Sequence, residues 1–384
     1  MKSFGVRGSI TIMLILRVLY AMNWYNISPL LFNILNAYGT PFYLSGLILS
    51  AFLLGTALFQ IPSGLIAAKI GAKNTAMSGM IIMSIAIILS IFSPDFLIFL
   101  ISRFMVGVGA AFFFSSGVGV LYEIDRTKSS TNLAVFNTAF SIGGGIGILL
   151  FSFLSPMFSW QNLLLISGIV TLIFTICGIL FIPKTFKKGS SKDFRKNVKS
   201  RFFSKPLILL SLALSGYWGM NFTFGEYEKS FAQVLGFNPT VAGLIGSLAL
   251  FAGIFGLFIY RRIHIGSPAV ILPSFLITIC IIVAIQALGF PDYLFFASAA
   301  SGVMSIILFS LEYFYVIKIE KEEKYVPLGI SIMNGIQIAA GAIIASVFGY
   351  VYSINQFVSW FFLAAISMVM LPIGMAELKK INIS

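Results

Sequence analysis

Three features of this sequence predict an all-α polytopic membrane protein, with twelve transmembrane helices in two pseudo-symmetric six-helix bundles. First, its 384 residues are 59% hydrophobic and only 10% charged, with a mean hydropathy of +1.01, where a soluble domain carries about 25% charge. A chain this poor in charge has to turn most of its surface to lipid. Second, its apolar residues fall in long runs such as Leu47–Leu58, Ile81–Ile91 and Leu163–Ile182. These lack the polar–apolar alternation of a membrane barrel strand. Third, short patterns of the first half return in the second at a nearly constant offset, the mark of an internal duplication.

The first span is expected at about 9–35. Met1–Gly8 before it carries two basic residues, and no small-residue cleavage site follows, so the segment reads as a span and not as a removed signal. Spans at about 42–65 and 74–92 come next, then one at 96–121 after the turn Ser93-Pro94-Asp95. Spans at about 131–153 and 160–181 flank Ser155-Pro156 and complete an N-terminal bundle over 1–182. The polar stretch 183–205 reads as a basic cytoplasmic linker. The C-terminal bundle, 206–384, holds spans at about 206–230, 240–260, 267–289, 293–317, 327–350 and 356–376, with turns at Gly289-Phe290-Pro291-Asp292 and Tyr352-Ser353-Ile354-Asn355. Pro and short polar residues stop helices there by withdrawing from, or competing for, the backbone hydrogen bonds.

Charge placement tests this layout. With both termini in the cytoplasm, 22 of the 25 Lys and Arg fall in inner loops or termini, nine of them in 183–205. Arg17 and Arg103 lie within spans, and Lys229 sits at an outer boundary. This positive-inside bias supports a multi-pass cell-membrane protein with the N- and C-termini inside. The net charge of +13 is then explained by loops beside anionic lipid, with no nucleic acid partner.

The repeat is visible residue by residue. Ala21-Met22-Asn23-Trp24 matches Gly219-Met220-Asn221-Phe222 at an offset of 198, and Gly46–Ser50 matches Gly243–Ser247 at 197. Asn137 and Gly144 match Asn334 and Gly341, again at 197. A parallel six-plus-six duplication suits two bundles that rock about a solute site near the bilayer midplane.

The turn Gly64-Leu65-Ile66-Ala67-Ala68-Lys69-Ile70-Gly71-Ala72-Lys73 and the span-4 stretch Arg103-Phe104-Met105-Val106-Gly107-Val108-Gly109 resemble motifs of the major facilitator superfamily of secondary transporters. The resemblance runs through the twelve spans and the central basic loop. It implies alternating-access transport, and it implies that the span 2–3 turn helps latch the two halves on the cytoplasmic side. Gly64, Gly71 and Lys73 fit the family pattern, Lys69 replaces its Arg, and Ala68 stands where the family has Asp. Lys69 has Glu123 or Asp125 at the inner end of span 4 as candidate partners, and a weaker or differently built latch is expected; the alternative is a basic turn that merely obeys topology. Gly143–Gly147 lacks the Pro of the family's span-5 antiporter pattern, so the direction of exchange stays open.

Charged residues inside spans are expensive and mark function. Arg17 recurs with Tyr20 and Trp24 at helical spacing on one face, where it would grip a carboxylate or phosphate, or else snorkel to headgroups. Arg103 either joins a charge network or packs and anchors its helix. Glu226, near the outer end of span 7, is the first carboxylate to test for proton coupling, against a solvated helix-end residue paired with Lys229. Glu312 reads more readily as a local partner of Lys318 than as a central proton site. Tyr20, Asn23, Trp24, Asn137, Tyr217, Trp218, Asn221, Asn334 and Gln337 complete the candidate solute contacts. The spacing of His, Asp and Glu suggests no metal site, and no nucleophilic triad can be assembled, so neither a cofactor nor an enzyme activity is expected. Cys177 and Cys280 read as packing residues.

Together these features predict proton-coupled transport of a small organic solute, with an organic anion as one class, by a functional monomer in contact with membrane lipids. Efflux of neutral or amphipathic compounds is the nearest alternative. A transport-incompetent sensor or scaffold on the same fold is a further one.

Overall fold

The computed structural model describes residues 5–125, 129–183, 204–263, 267–319 and 326–372. Most of the expected basic linker (184–203) and His264 lie outside the described residues. The first half of the chain forms helices α1 (Val6–Tyr25), α2 (Leu31–Ala37), α3 (Ser45–Ile70), α4 (Ala72–Ser90), α5 (Phe96–Ile124), α6 (Ser129–Leu154) and α7 (Trp160–Phe181). The second forms α8 (Lys205–Ala213), α9 (Ser215–Val234), α10 (Pro239–Tyr260), α11 (Pro268–Ile285), α12 (Tyr293–Ile319), α13 (Val326–Ile354) and α14 (Val358–Val369). Among the described residues, eleven helical stretches are long and apolar enough to cross a bilayer. Large apolar side chains such as Leu58, Phe255 and Ile343 stand exposed along them, as lipid contact requires. The twelfth expected span begins with α14, whose 12 residues lie near the end of the described residues, 373–384 being outside them.

Helix starts follow the local chemistry. Asp95, Ser159 and Asn238 cap α5, α7 and α10 by accepting from the backbone N–H three residues on, which satisfies donors the helix itself cannot use. Two expected spans are interrupted. Span 1 breaks after Tyr25 into a 3-10 turn at Ser28–Leu30 before α2, because Pro29 has no N–H to give. Span 7 breaks at Leu214, between α8 and α9. Gly219 and Gly225 do not interrupt α9, which continues to Val234. Lys229 therefore lies inside a helix and is buried, not at the outer boundary expected from sequence.

The chain packs as two units, Met1–Tyr38 with Ala51–Lys196 and Gly39–Ser50 with Asn197–Ser384. In the first, α1 lies against α6 and α7, and α4 against α5 and α7. In the second, α9 lies against α13 and α14, and α11 against α12 and α14. The two units thus share one packing plan. The helix starts agree with it: Phe96, Ser129 and Trp160 open α5, α6 and α7, while Tyr293, Val326 and Val358 open α12, α13 and α14, at offsets of 197, 197 and 198. Gly39–Ser50 joins the second unit through hydroxyls. Ser45 Oγ meets the Tyr227 hydroxyl at 2.7 Å, and Ser50 Oγ donates to Ala342 O at 2.5 Å and lies 2.7 Å from Ser346 Oγ.

The closest helix contact in each unit needs a glycine. A Cβ on Gly107 of α5 would run into the Phe52 carbonyl of α3, and one on Gly302 of α12 into the Ala249 carbonyl of α10. Phe52 and Ala249 are themselves 197 residues apart. Without a hydrophobic drive between helices in lipid, this backbone proximity supplies the contact energy. Thr56 Oγ1 adds a bond to Gly107 O at 3.2 Å.

Candidate functional site

In the first unit, Arg17 projects from α1 into an aromatic cage. Its guanidinium carbon lies 4.9 Å from the centroid of Tyr20, 4.5 Å from Phe136, 4.7 Å from Phe140 and 5.3 Å from Phe114. These rings come from α1, α5 and α6, and Arg17 is 3% exposed, so the snorkelling alternative does not hold. Each ring presents a negative π face to the cation. Tyr20 and Trp24 continue the cluster, with Trp24 packing on Phe52 at 4.6 Å and on Phe140 at 5.9 Å. Arg103 of α5 is also buried, 5.4 Å from the Phe52 ring.

Asn23 does not join this group. Its Nδ2 donates to Thr171 Oγ1 at 2.7 Å, and its Oδ1 accepts from Ser167 Oγ and from Asn26 Nδ2. The side chain ties α1 to α7, which leaves its amide committed within the protein. Asn137 stands exposed on α6, and Asn221 is half-buried on α9; neither makes a side-chain hydrogen bond among the described residues.

In the second unit, the expected residues do converge. Glu312 of α12 is fully buried. Its Oε2 accepts from Trp218 Nε1 of α9 at 2.8 Å, and its Oε1 accepts from Gln337 Nε2 of α13. One carboxylate thereby joins three helices through two neutral donors, and a proton or a cationic group is what would balance its charge. The local ion pair with Lys318 expected from sequence is not formed. Lys318 is exposed, 5.6 Å from the Phe314 ring, because Glu312 turns into the unit while Lys318 lies near the end of α12. Beside the network, Tyr313 and Asn334 exchange hydrogen bonds at 3.0 and 3.2 Å, and Tyr217 donates to Ser305 O at 2.7 Å. Phe309 stacks between Trp218, at 5.3 Å, and Tyr313, at 4.2 Å.

The two clusters occupy repeat-related positions. The 198 offset of α1 and α9 relates Tyr20 to Trp218, and the 197 offset of α6 and α13 relates Phe140 to Gln337. Sequence reasoning missed Phe114, Phe136, Phe140, Phe309 and Tyr313. Extending the offset of Asn137 and Asn334 along α6 would have found Phe140 as the counterpart of Gln337.

Glu226 is buried in α9, which overturns its reading as a solvated helix-end residue. The latch turn is built differently from the expectation. Gly64 lies within α3, Gly71 takes φ +94° to separate α3 from α4, and Lys69 is exposed in the last turn of α3. No pair of Lys69 with Glu123 or Asp125, at the end of α5, is formed among the described residues. Lys73 instead folds inward and donates to the Ile179 and Ile182 carbonyls, where its charge meets the negative end of α7. Lys73→Met strands these carbonyls, at about 1–3 kcal/mol for buried groups, and is expected to lower the melting temperature of the purified protein. An unchanged melt would contradict this role.

Comparison with known proteins agrees with this architecture. The Major Facilitator Superfamily profile matches residues 13–285. The chain is 25% identical over 173 residues to the uncharacterized MFS-type transporter YwoD of Bacillus subtilis, covering 45% of this chain and 38% of that protein. It is 23% identical over 228 residues to a probable sugar efflux transporter of Helicobacter acinonychis, covering 58% and 57%. The chain spans about half the length of the curated relatives it matches. A crystal structure of a POT family transporter in complex with 5-aminolevulinic acid superposes with a TM-score of 0.80 at 13% identity, over 98% of this chain and 97% of that one, which shows a common fold. With a profile match across most of its length and a shared fold over nearly all of it, the chain belongs to the Major Facilitator Superfamily.

Proposed function

We propose that the chain is a secondary transporter that moves a small organic solute by alternating access, and that protons drive it through Glu312. The observation that carries this reading is the fully buried carboxylate of Glu312, held by Trp218 and Gln337. When ionised, it ties α9, α12 and α13 together with charge-assisted hydrogen bonds; when protonated, it holds them less strongly. Protonation is thereby linked to the packing of three helices. A proton crossing 100 mV supplies about 2.3 kcal/mol, enough to bias two conformations of a bundle. In the first unit Arg17 offers a contact for a carboxylate or phosphate, with Tyr20 and Trp24 as aromatic surface and Arg103 as a further buried charge. In the second, Tyr217, Trp218 and Asn334 supply aromatic and polar surface, and Glu226 is a further buried charge. Both termini lie in the cytoplasm on the positive-inside distribution.

Arg17→Lys keeps the charge but gives up planar stacking on four rings, at about 0.5–2 kcal/mol per contact. We expect transport to fall about tenfold or more, with a smaller loss of thermal stability than in Arg17→Ala; uptake and melting curves read the two effects separately.

The aromatic group Trp218, Phe222, Phe309 and Tyr313 favours a second reading, efflux of amphipathic compounds. A panel of small carboxylates and amphipathic amines in sealed proteoliposomes, scored with and without an imposed proton gradient, tests both. Gradient-dependent carboxylate uptake supports the first reading. Transport of amines alone supports the second. Movement that ignores the gradient removes the proton from the account.

A further inference from the structure

The second unit buries another acid that the Glu312 network does not use. Glu228 of α9 has no exposed surface. Its Oε1 accepts from Gln286 Nε2 at 2.8 Å, at the 3-10 turn that follows α11. Its Oε2 has no hydrogen-bond partner among the described residues. The same holds for Gln286 Oε1, the Tyr352 hydroxyl and Trp360 Nε1, and all three residues are buried to 1% exposure or less.

These groups belong to one cluster. Phe224, Glu228 and Phe231 follow one another by four and three residues, so they share a face of α9. The rings of Phe224 and Phe231 stand 5.8 and 5.2 Å from Trp360, which sets the indole along the face that carries Glu228. Tyr352 stacks on Tyr227, the residue before Glu228, at 5.3 Å, and both Tyr352 and Tyr293 lie within electrostatic range of the Glu228 carboxylate. Glu226, Tyr227 and Lys229 are the other titratable groups on α9 here. Cys280, on α11, is about two turns from Gln286. Buried polar atoms in native proteins are almost always paired, so four unpaired ones in a single cluster point to a ligand.

We infer that Glu228, with Gln286, Tyr352 and Trp360 around it, forms a second proton-binding site, separate from Glu312. The mixed character of the cluster selects the proton. Calcium or magnesium takes six or more oxygen ligands, whereas here three unpartnered acceptors accompany an indole N–H, which repels a cation. A proton on Glu228 Oε2, taken up from water, turns an acceptor into a donor and removes the charge. Glu228 follows Trp218, the partner of Glu312, by ten residues, so the two proton sites are about 15 Å apart along α9.

The test is pH-difference infrared spectroscopy of the full chain in lipid nanodiscs. It reads the carbonyl stretch of protonated buried carboxyls in the wild type, Glu228→Gln, Glu226→Gln, Glu312→Gln and Tyr352→Phe. Glu228→Gln is expected to remove one titrating band that persists in Glu226→Gln and Glu312→Gln. Tyr352→Phe is expected to shift the midpoint of that same band, because it removes a hydroxyl dipole from beside the carboxyl. Should Glu228→Gln fail to fold, Tyr352→Phe carries the test, and bands unmoved by it overturn the proposal. A full set of bands in Glu228→Gln, or loss of the assigned band in Glu226→Gln, also overturns it. A midpoint that moves when sodium replaces choline makes this a metal-cation site and overturns it as well. Loss or survival of the Glu312 band bears on the proposed transport mechanism and leaves Glu228 untouched.

Discussion

Glu312→Gln is expected to abolish proton-driven accumulation while leaving solute exchange in place. The amide keeps the size of the carboxyl, and its oxygen still accepts from Trp218 Nε1, the partner at 2.8 Å. What it loses is the capacity to gain and release a proton. If one proton moves with each neutral solute, 100 mV sustains roughly a 50-fold concentration ratio, the equivalent of about 2.3 kcal/mol; with a monovalent anion the pair carries no net charge, and a pH gradient of equal free energy takes the place of the voltage. In the variant that ratio falls to unity, while counterflow between equal concentrations on the two sides continues. Glu312→Ala behaves differently. It strands the Trp218 and Gln337 donors at about 1–3 kcal/mol for each buried group, so it should lose stability as well as accumulation. Counterflow and accumulation assays on the same vesicles separate these outcomes, and full accumulation by Glu312→Gln would remove Glu312 from the coupling.

Gly302→Val is expected to have the largest effect on folding. A Cβ at this position runs into the Ala249 carbonyl and its neighbouring backbone atoms. No flexible side chain can move aside, so α10 and α12 must separate. Overpacking a well-filled contact costs about 1–3 kcal/mol and more where backbone is the obstacle, and separation also forfeits the dispersion contacts along the helix pair. The expected result is a strongly lowered melting temperature and aggregation in detergent, with Gly302→Ala affected in the same direction but less. Gly107→Val should repeat the result in the first unit, where the obstacle is the Phe52 carbonyl. A wild-type melt for Gly302→Val would mean that the two helices are not in backbone contact.

Much of the architecture was legible because lipid simplifies the pattern. Apolar runs, turn residues and the distribution of Lys and Arg placed the spans to within a few residues. Breaks inside spans were harder to see. Pro29 is a visible signal and was passed over, whereas nothing apolar or polar about Leu214 announces the break before α9. Charged residues were the least legible. Lys73 looked like a loop cation obeying topology, yet it reaches the end of α7, a contact set by tertiary packing and invisible to local spacing. Glu312 and Lys318 are close enough in sequence to suggest a pair, but their faces on α12 differ, and Trp218 and Gln337 compete for the carboxylate. Asn23 looked like a solute contact because the repeat pairs it with Asn221; its three hydrogen bonds, to α7 and Asn26, depend on a helix that starts 137 residues later at Trp160. The repeat offset also links two members of the Arg17 cage, Tyr20 and Phe140, to Trp218 and Gln337 of the Glu312 network.

The most direct test of proton-driven transport counts protons against solute in the same sealed proteoliposomes, with a pH-sensitive dye inside and labelled solute outside. The account predicts a pH change that begins only when solute is added, holds a fixed ratio to the solute moved, and vanishes in Glu312→Gln. Solute movement with no accompanying proton movement in the wild-type protein would contradict it.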